Sequence, residues 1–331
     1  MEIRMREILS MGAMLAILAA PIAAQTNRPA KANQDSWRAT MRAATAAEKD
    51  GKYGEAERLF SSALNEVDNS GRNDQRLVQT LHALGGVYEK EGKYSDAEPL
   101  YVREMEIWER SLGPNNLIVA RGYARLAGVY DAEKNYTDAE STYQRSLAIA
   151  ERTVGNSNQA VAPILSGLAE VYRAQGRYED AERLYRRSIS IRQASPDPEH
   201  PLVAESLNDL ASLYAAEGKY AEAEPLYQRA LRIWEKSSGL NDPNVATVLN
   251  NLAALYYAEG KYADAEPLYK RSLAIVESRL AGPGPDSLEA AQCLDNYAAL
   301  LRKTNRAADA DKMEARAKGI RAKTAQPAGT R

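Results

Sequence analysis

Cysteine and histidine are almost missing from this 331-residue chain, which holds one cysteine, Cys293, and two histidines, His82 and His200. A lone cysteine excludes an intramolecular disulfide and a cysteine-rich zinc module. Two histidines in distant parts of the sequence leave little material for a histidine-based metal site or a catalytic triad. Gly92-Lys93-Tyr94 lacks the Ser or Thr and the upstream glycine of a phosphate-binding loop. We therefore expect no catalytic residue, no metal and no cofactor, and the sequence favours a protein that is not an enzyme.

An excess of charge of one sign is also missing, because 43 basic side chains nearly balance 45 acidic ones. The formal net charge of −2 gives no electrostatic reason to expect binding to nucleic acid or to an anionic membrane surface. Phenylalanine occurs once and tryptophan three times, whereas tyrosine occurs 19 times. Such a skew indicates one sequence position that has been copied many times.

The sequence also lacks a hydrophobic run that is long enough to span a membrane. The apolar stretch from Ile8 to about Ala24 follows Arg4 and Arg6, ends in small residues and falls short of the roughly 20 apolar residues that a spanning helix needs. This order is typical of a secretory signal peptide, which we predict over residues 1–24. An uncleaved membrane anchor is the alternative. We expect an exported protein, periplasmic or secreted, with no membrane insertion after the signal peptide is cleaved.

What the sequence has in abundance is a repeated tyrosine pattern. A Gly-Lys-Tyr-like tripeptide followed by an Ala-Glu pair recurs at intervals of 41 or 42 residues. Its tyrosines are Tyr53, Tyr94, Tyr136, Tyr178, Tyr220 and Tyr262. Two further tyrosine places, six residues before and seven residues after, bring the total to sixteen of the nineteen tyrosines. The chain is therefore built from copies of a unit of about 42 residues.

Each unit is predicted to form two helices. In the fifth unit the apolar residues have the spacing of one helical face: Leu207, Leu210, Ala211 and Tyr214. Gly218 is expected to end this helix in a left-handed conformation, and a second helical pattern follows it. Neither helix can bury its apolar face alone, so the units must stack. A period of 42 also fits HEAT, armadillo or propeller repeats, and helical spacing without alternating strands removes the propeller.

The order Leu-x-x-Leu-Ala-x-x-Tyr, Gly-x-Tyr, Ala-x-x-x-Tyr-x-x-Ala resembles the tetratricopeptide repeat (TPR). Segments 248–256 and 260–269 are similar to the 42-residue TPRs of the kinesin light chain family, and the resemblance runs from about Asp35 to Lys318. It implies an all-α, superhelical TPR solenoid of about seven helix-turn-helix repeats, with a concave groove that binds peptides. Kinesin light chains also carry an N-terminal coiled coil that holds the motor. A predicted signal peptide stands in its place here, so motor attachment is not carried over.

The predicted organisation has four parts. They are a signal peptide (1–24), a polar leader (25–34), the TPR solenoid (35–318) and a disordered basic tail (319–331). The repeats are predicted at approximately 35–74, 75–115, 116–157, 158–199, 200–241, 242–285 and 286–318. The charged second helix of the last repeat is what a terminal cap needs for solubility.

The resemblance places the first helix of each repeat along the groove, and the tyrosines, leucines and alanines of the repeat pattern in the core. In kinesin light chains, groove asparagines contact cargo peptides. Asn208 and Asn250 match that place, and Asn251 and Asn296 stand one residue beyond it. Tyr257 lies outside the repeated tyrosine and core places and is the expected aromatic anchor, with partial burial as the alternative. Groove places also hold three arginines: Arg121, Arg173 and Arg302.

These patterns favour a non-catalytic scaffold or adaptor that binds a segment of a protein or peptide partner in the concave groove. Small residues at other groove places leave room for such a guest, or simply relieve crowding between helices. The alternative is a structural subunit of an envelope complex that assembles through its convex face or its ends. A third hypothesis is an accessory domain of an envelope enzyme, in which the partner and not this chain has the activity.

Overall fold

A computed structural model describes residues 28–68, 75–278 and 285–324. Within these ranges the chain forms fourteen α-helices and one short 3-10 helix and contains no β-strand, which confirms the predicted all-α class. The helices are α1 (Arg28–Lys49), α2 (Tyr53–Val67), α3 (Gln75–Lys90), α4 (Tyr94–Leu112), α5 (Leu117–Ala132), α6 (Tyr136–Val154), α7 (Ala162–Ala174, preceded by the 3-10 helix Gln159–Val161), α8 (Tyr178–Gln193), α9 (Pro201–Ala216), α10 (Tyr220–Ser238), α11 (Pro243–Ala258), α12 (Tyr262–Glu277), α13 (Pro285–Lys303) and α14 (Ala307–Thr324).

These helices form two compact units, an N-terminal unit that ends at Gln175 and a C-terminal unit that begins at Gly176. The N-terminal unit contains α1 to α7 and the C-terminal unit contains α8 to α14. Within each unit every helix packs against the next one along the chain. First helices of consecutive repeats also touch directly, as α5 and α7, α9 and α11, and α11 and α13 do. This is the nearest-neighbour packing of stacked helix pairs.

A left-handed residue ends the first helix of a repeat, as the sequence predicts. Gly218 has a φ of 76°, and the N–H of Lys219 donates to the carbonyl of Tyr214 at 2.8 Å. This is a Schellman ending, which glycine adopts without a Cβ clash. In repeats three and seven the same place is taken by Lys134 and Asn305, with φ angles of 62° and 61°. The turn is therefore retained even where its preferred residue has been replaced.

The alanines and the inner tyrosines of the second helices form the core, as predicted, whereas the tyrosines that begin these helices, such as Tyr220, are only half-buried. Five alanines of the second helices are completely buried: Ala97, Ala139, Ala181, Ala223 and Ala265. At most 2% of the surface is exposed in three of the tyrosines, Tyr101, Tyr185 and Tyr269. Gly85 of α3 shows how closely the helices of a repeat approach one another. A Cβ atom at Gly85 would lie 2.7 Å from ring atoms of Tyr101. A first helix therefore needs a very small residue where such a tyrosine packs.

The tyrosines of the first helices join consecutive repeats. In five places the tyrosine hydroxyl donates to a glutamate on the second helix of the preceding repeat. The pairs are Tyr88 with Glu57 (3.4 Å), Tyr130 with Glu98 (2.8 Å), Tyr214 with Glu182 (2.8 Å), Tyr256 with Glu224 (2.7 Å) and Tyr297 with Glu266 (3.1 Å). Burial, together with the carboxylate it bonds, raises the pKa of Tyr130 to about 12. We call these five contacts the tyrosine–glutamate bonds.

The helical region extends beyond its predicted boundaries at both ends. Helix α1 begins at Arg28, within the predicted polar leader 25–34. Pro29 is tolerated in a first helical turn, and the alanine, lysine and glutamine residues that follow it favour a helix. Most of the predicted polar leader is therefore helical and continuous with the first helix. The predicted signal peptide, residues 1–24, lies outside the described residues.

At the other end, α14 continues to Thr324, so the first six residues of the predicted disordered tail 319–331 are helical instead. Tertiary contacts explain the extension. Ile320 packs against the buried cluster of the last two repeats, and Arg321 forms an ion pair with Asp295. Residues 325–331 lie outside the described residues. Of the helices that the structure describes, none combines the length and the apolar character needed to cross a membrane.

Candidate partner-binding site

The four candidate asparagines come together as two pairs in the C-terminal unit. Asn251 of α11 donates through Nδ2 to Oδ1 of Asn208 on α9 at 3.0 Å. Asn296 of α13 donates in the same way to Oδ1 of Asn250 on α11 at 3.1 Å. All four side chains are half-buried. Each pair links the first helices of two consecutive repeats, and this mutual bonding was not predicted from the sequence.

The asparagine pairs still have hydrogen-bonding capacity to offer a ligand. An amide side chain carries two N–H donors and an oxygen with two lone pairs, and one pairing bond engages a single donor and a single lone pair. Because each amide is held by its partner, its remaining polar atoms are fixed in direction. Pre-oriented amides of this kind suit the alternating N–H and C=O groups of a peptide backbone.

An open cavity of about 270 Å³ lies beside Asn251, and we call it the α9–α11 cavity. Its walls include Ser212 and Ala215 from α9, Tyr220 and Tyr227 from α10, and Asn251 and Ala254 from α11. The hydroxyl groups of Ser212 and Tyr227 are hydrogen-bonded to each other at 2.9 Å. None of the described residues that line the cavity is charged. The cavity can therefore hold an uncharged group beside the fixed amide of Asn251.

Tyr257 does not line the α9–α11 cavity. Its half-buried ring packs against the buried cluster of the last two repeats, and its centroid lies 5.6 Å from that of Tyr262. Partial burial, the alternative to an exposed anchor, therefore describes this tyrosine better.

The structure does not bring the three candidate arginines together. Arg302 is bound by the last helix, through ion pairs with Asp311 and Glu314 at 2.8 Å each. Arg173 of α7 donates through Nε to Glu170 of the same helix at 2.9 Å. Arg121 of α5 is half-buried in the N-terminal unit. Only the asparagines thus form a connected set.

The N-terminal unit contains a charged cluster that sequence reasoning missed. Glu104 of α4 is only 6% exposed, and its Oε1 lies 3.1 Å from Nδ1 of His82 on α3. Nη1 of Arg125 on α5 contacts both nitrogens of the same imidazole, and the guanidinium lies 5.4 Å from the centroid of the Tyr101 ring. The Tyr101 hydroxyl in turn donates to Glu89. These five residues are called the charged cluster below.

Burial and charge oppose each other at the two carboxyl groups of the charged cluster. Burial raises the pKa of Glu89, and its contacts with Tyr101 and Arg125 only partly offset this. Burial also acts to raise the pKa of Glu104, but its contacts with His82 and Arg125 outweigh it and leave that pKa lowered. Glu104 is therefore a buried carboxylate that its neighbours hold in the ionised form.

The repeat pattern contains a signal for this cluster. Glu104 stands 42 and 168 residues before Ser146 and Ser272, two buried serines that donate to main-chain carbonyls at 2.6 and 2.7 Å. The repeat position that holds a buried serine in these later repeats therefore holds a glutamate in repeat two, and this departure from the pattern marks the cluster. His82 and Arg125 stand 126 residues, or three repeats, before Asn208 and Asn251. The two pairs occupy equivalent places, one charged and one neutral.

A buried ion pair lies between α8 and α9 in the C-terminal unit. Glu205 of α9 is 8% exposed and accepts from Nη1 of Arg192 on α8 at 3.0 Å, where the arginine is 2% exposed. The same guanidinium also donates to the carbonyl of Leu202. Glu205 therefore holds α8 and α9 together rather than facing a ligand.

The remaining side chains that could take part in catalysis or metal binding have structural roles. His200 caps α9, where its Nδ1 accepts from the N–H of Leu202 at 3.2 Å. Cys293 is buried, and burial raises the pKa of its thiol to about 11, which disfavours the reactive thiolate. Among the described residues, no three histidine, cysteine or acidic side chains are placed to hold a metal ion.

The tetratricopeptide repeat family matches residues 76–152, 160–236 and 203–278, which together make up more than half of the chain. The chain belongs to this family. Its members are generally non-catalytic repeat scaffolds that act on protein partners. A search of curated protein sequences found no match.

Solved structures share the repeat type. BtubC (BKLC) from P. vanneervenii is 25% identical with a TM-score of 0.57, over 73% of this chain and 94% of that one. The nearly identical TPR-like repeats of a Podosopora anserina protein described as a kinesin light chain are 24% identical with a TM-score of 0.52, over 64% and 97%. A Rap protein complexed with Competence and Sporulation Factor is 15% identical with a TM-score of 0.63, over 87% and 75%. The predicted kinesin light chain type of repeat is confirmed.

Proposed function

We propose that this protein is a non-catalytic scaffold that binds an extended or helical segment of a protein partner along the first helices of its C-terminal unit. The observation that carries the proposal is the α9–α11 cavity, whose uncharged walls include Asn251, the amide that is bonded to Asn208. A partner segment would place one uncharged side chain in the cavity, while its backbone bonds the amides. Membership of the repeat family supports a protein partner, and a similar fold in a Rap protein solved with Competence and Sporulation Factor is consistent with it.

The asparagines and the cavity contribute in different ways. Amide contacts to a peptide backbone provide affinity with little regard to sequence, whereas a side-chain cavity selects among partners. The partner residue that enters the α9–α11 cavity is uncharged, because burying a charge against uncharged walls is costly. Half-buried amides that are already fixed lose little conformational entropy when they bind.

A cavity-filling substitution with a matched control tests the proposal. Ala215→Leu adds a side chain to the cavity wall, and Ala216→Leu makes the same change at the next residue, which is exposed. Crosslinking in the native cell envelope, followed by quantitative mass spectrometry, identifies the partners of each variant. We expect at least one partner to be lost with Ala215→Leu and with Asn251→Ala but kept with Ala216→Leu. Equal partner sets for all variants would overturn groove binding and favour assembly through the outer helices or the ends.

We also propose that the protein is exported, to the periplasm or beyond the cell, after removal of about 24 residues. The basic, apolar and small-residue order of the first 24 residues supports this proposal. The intact mass of the native protein provides the test. A full-length chain in the membrane fraction would contradict export and favour an uncleaved anchor.

A further inference from the structure

Arginine recurs at one place of the second helices, where it joins a repeat to the one before. Its copies stand 42 residues apart, or 45 before the last one, and they reach an acidic side chain of the preceding repeat. The ion pairs are Arg103 with Asp68, Arg145 with Glu109 (2.7 Å), Arg271 with Glu235 (2.7 Å) and Arg316 with Glu277. Each of these guanidinium groups therefore has a carboxylate partner within the protein.

The fifth repeat departs from this pattern at Arg229 of α10. Gln193 of α8 stands where Glu109, Glu235 and Glu277 stand in their repeats. Its amide oxygen, turned towards the guanidinium, accepts from Nη1 and Nη2 of Arg229 at 2.9 and 3.1 Å. An amide is neutral, so it does not balance the charge of the arginine. A guanidinium has five N–H donors and this amide engages two of them, so Arg229 can bind a carboxylate without losing Gln193.

A second arginine without a carboxylate partner lies one helical turn further along α10. Arg232 is exposed and forms no ion pair with any of the residues that the structure describes. Residues three apart on a helix are neighbours on its surface, so Arg229 and Arg232 can contact one ligand together. We call them the α10 arginine pair. The residues equivalent to Arg232 in repeats two, three, four and six are not basic: Glu106, Ala148, Ser190 and Ala274.

The acidic groups near the α10 arginine pair do not balance its charge. Glu199, in the turn before α9, is already bonded to Nζ of Lys236 at 2.9 Å. Lys236 above all lowers the pKa of Glu199, and Arg229 and Arg232 add to the effect. Asp197 also acts on Lys236. Three cations of α10 therefore face two carboxylates, and a surplus of positive charge remains on this part of the surface.

We propose that the α10 arginine pair is a docking surface for an acidic segment of a protein partner, which supplies the carboxylates that this repeat lacks. Carboxylates are what the same arginine place binds in other repeats, and they match the fork of a guanidinium. The chain as a whole has a net charge of −2, which disfavours attraction to an anionic membrane. The surface lies on a second helix and does not include the α9–α11 cavity, so the inference does not depend on the proposed function.

Completion of the missing ion pair tests the proposal. Gln193→Glu gives Arg229 a carboxylate from its own chain, whereas Gln292→Glu makes the same change at an exposed residue of α13. The probe is a fluorescent hexaglutamate peptide, with hexaglutamine as its neutral control, and fluorescence anisotropy measures the Kd at physiological ionic strength. We expect only hexaglutamate to bind. Its Kd should rise about tenfold with Gln193→Glu and with Arg232→Gln, the size of one lost hydrogen bond between charged groups, and stay unchanged with Gln292→Glu.

Three results with the peptides would overturn the docking surface. They are equal binding of hexaglutamate and hexaglutamine, an equal Kd for wild type and Gln193→Glu, and no binding by wild type. Vesicles of phosphatidylglycerol provide a further comparison. Binding of these vesicles that is lost with Arg232→Gln, together with no binding of the peptide, would assign the arginines to an anionic membrane and contradict the proposal. Circular dichroism of each variant shows whether it is folded, and Gln193→Glu restores an ion pair that other repeats already contain.

Discussion

Gly85 lets α3 and α4 pack against each other through the ring of Tyr101. The variant Gly85→Ala places a Cβ atom 2.7 Å from that buried ring, so the ring or one of the two helices must shift. We expect this overpacking to lower the free energy of unfolding by about 1–3 kcal/mol, although alanine favours a helix more than glycine does. Urea denaturation followed by circular dichroism measures the loss.

Gly54→Ala is the matched control for this substitution. No atom lies within 4 Å of the position that the new Cβ would take on α2. We expect a gain of about 0.4–1 kcal/mol there, because alanine reduces the freedom of the unfolded chain. Two variants of equal stability would argue against close packing at Gly85.

Single residues also show where prediction from the sequence succeeds and where it stops. The core alanines and inner tyrosines could be assigned because each recurs at one place in most repeats, and burial follows from that place. The partner of an individual polar side chain could not, because it lies in another repeat. Asn251 was expected to lie near a ligand, and its bond to Asn208, 43 residues away, was not predicted. Glu104 was overlooked because the repeat pattern is defined by the residues that most repeats share, and a single glutamate in place of serine does not change it.

At the scale of helices, the ion pair of Arg192 and Glu205 joins α8 to α9. Both side chains are buried, so removal of one leaves an uncompensated charge. We expect Arg192→Met to lower the free energy of unfolding of the C-terminal unit by about 3–5 kcal/mol. The fluorescence of Trp234, the tryptophan of this unit, follows its unfolding in urea.

The double variant Arg192→Met, Glu205→Leu distinguishes loss of charge balance from loss of packing. It replaces the ion pair by apolar side chains and should recover most of the stability lost in the single variant. A double variant that is no more stable than Arg192→Met would show that packing around the guanidinium, and not the unpaired carboxylate, is what matters.

Helix ends were predicted less well than helix positions. The turn after the first helix follows from Gly218, because a left-handed residue is needed there. The ends of α1 and α14 depend instead on local helix propensity and on tertiary contacts such as that of Ile320. Composition alone could not reveal those contacts, and it assigned charged, alanine-rich segments to a leader and a tail.

Across the whole molecule, the tyrosine–glutamate bonds are expected to make the free energy of unfolding decrease at alkaline pH. Burial and the bonded carboxylates raise the pKa of the first-helix tyrosines, to about 12 for Tyr130. The neutral phenol is the form favoured by the fold. The stabilisation is therefore complete below about pH 10, the ordinary tyrosine pKa, and is lost as pH rises towards about 12. Tyrosinate absorbance and circular dichroism, recorded together, should change in the same pH range.

The variant Tyr130→Phe removes one titrating phenol and keeps the ring. Its loss of helix in alkali should be smaller than in wild type, because one group fewer must ionise. Tyrosinate that forms near pH 10 while the helices remain intact would contradict the role given to these bonds.

The tyrosine–glutamate bonds also make the repeats interchangeable. In four of the five bonds the tyrosine stands at the same place of the repeat, whereas Tyr297 stands four residues before the equivalent place, which Leu301 holds. Among those four, excision of one 42-residue copy would bring a tyrosine against a glutamate once more. Glu182, for example, would meet Tyr256 in the place of Tyr214. Unequal recombination can therefore shorten or lengthen such a gene without redesign of the joints. The polar pairs at the first helices are not interchangeable in this way, because the joint of His82 with Arg125 is charged and that of Asn208 with Asn251 is neutral. Selection on copy number and selection on recognition can thus proceed separately in one chain.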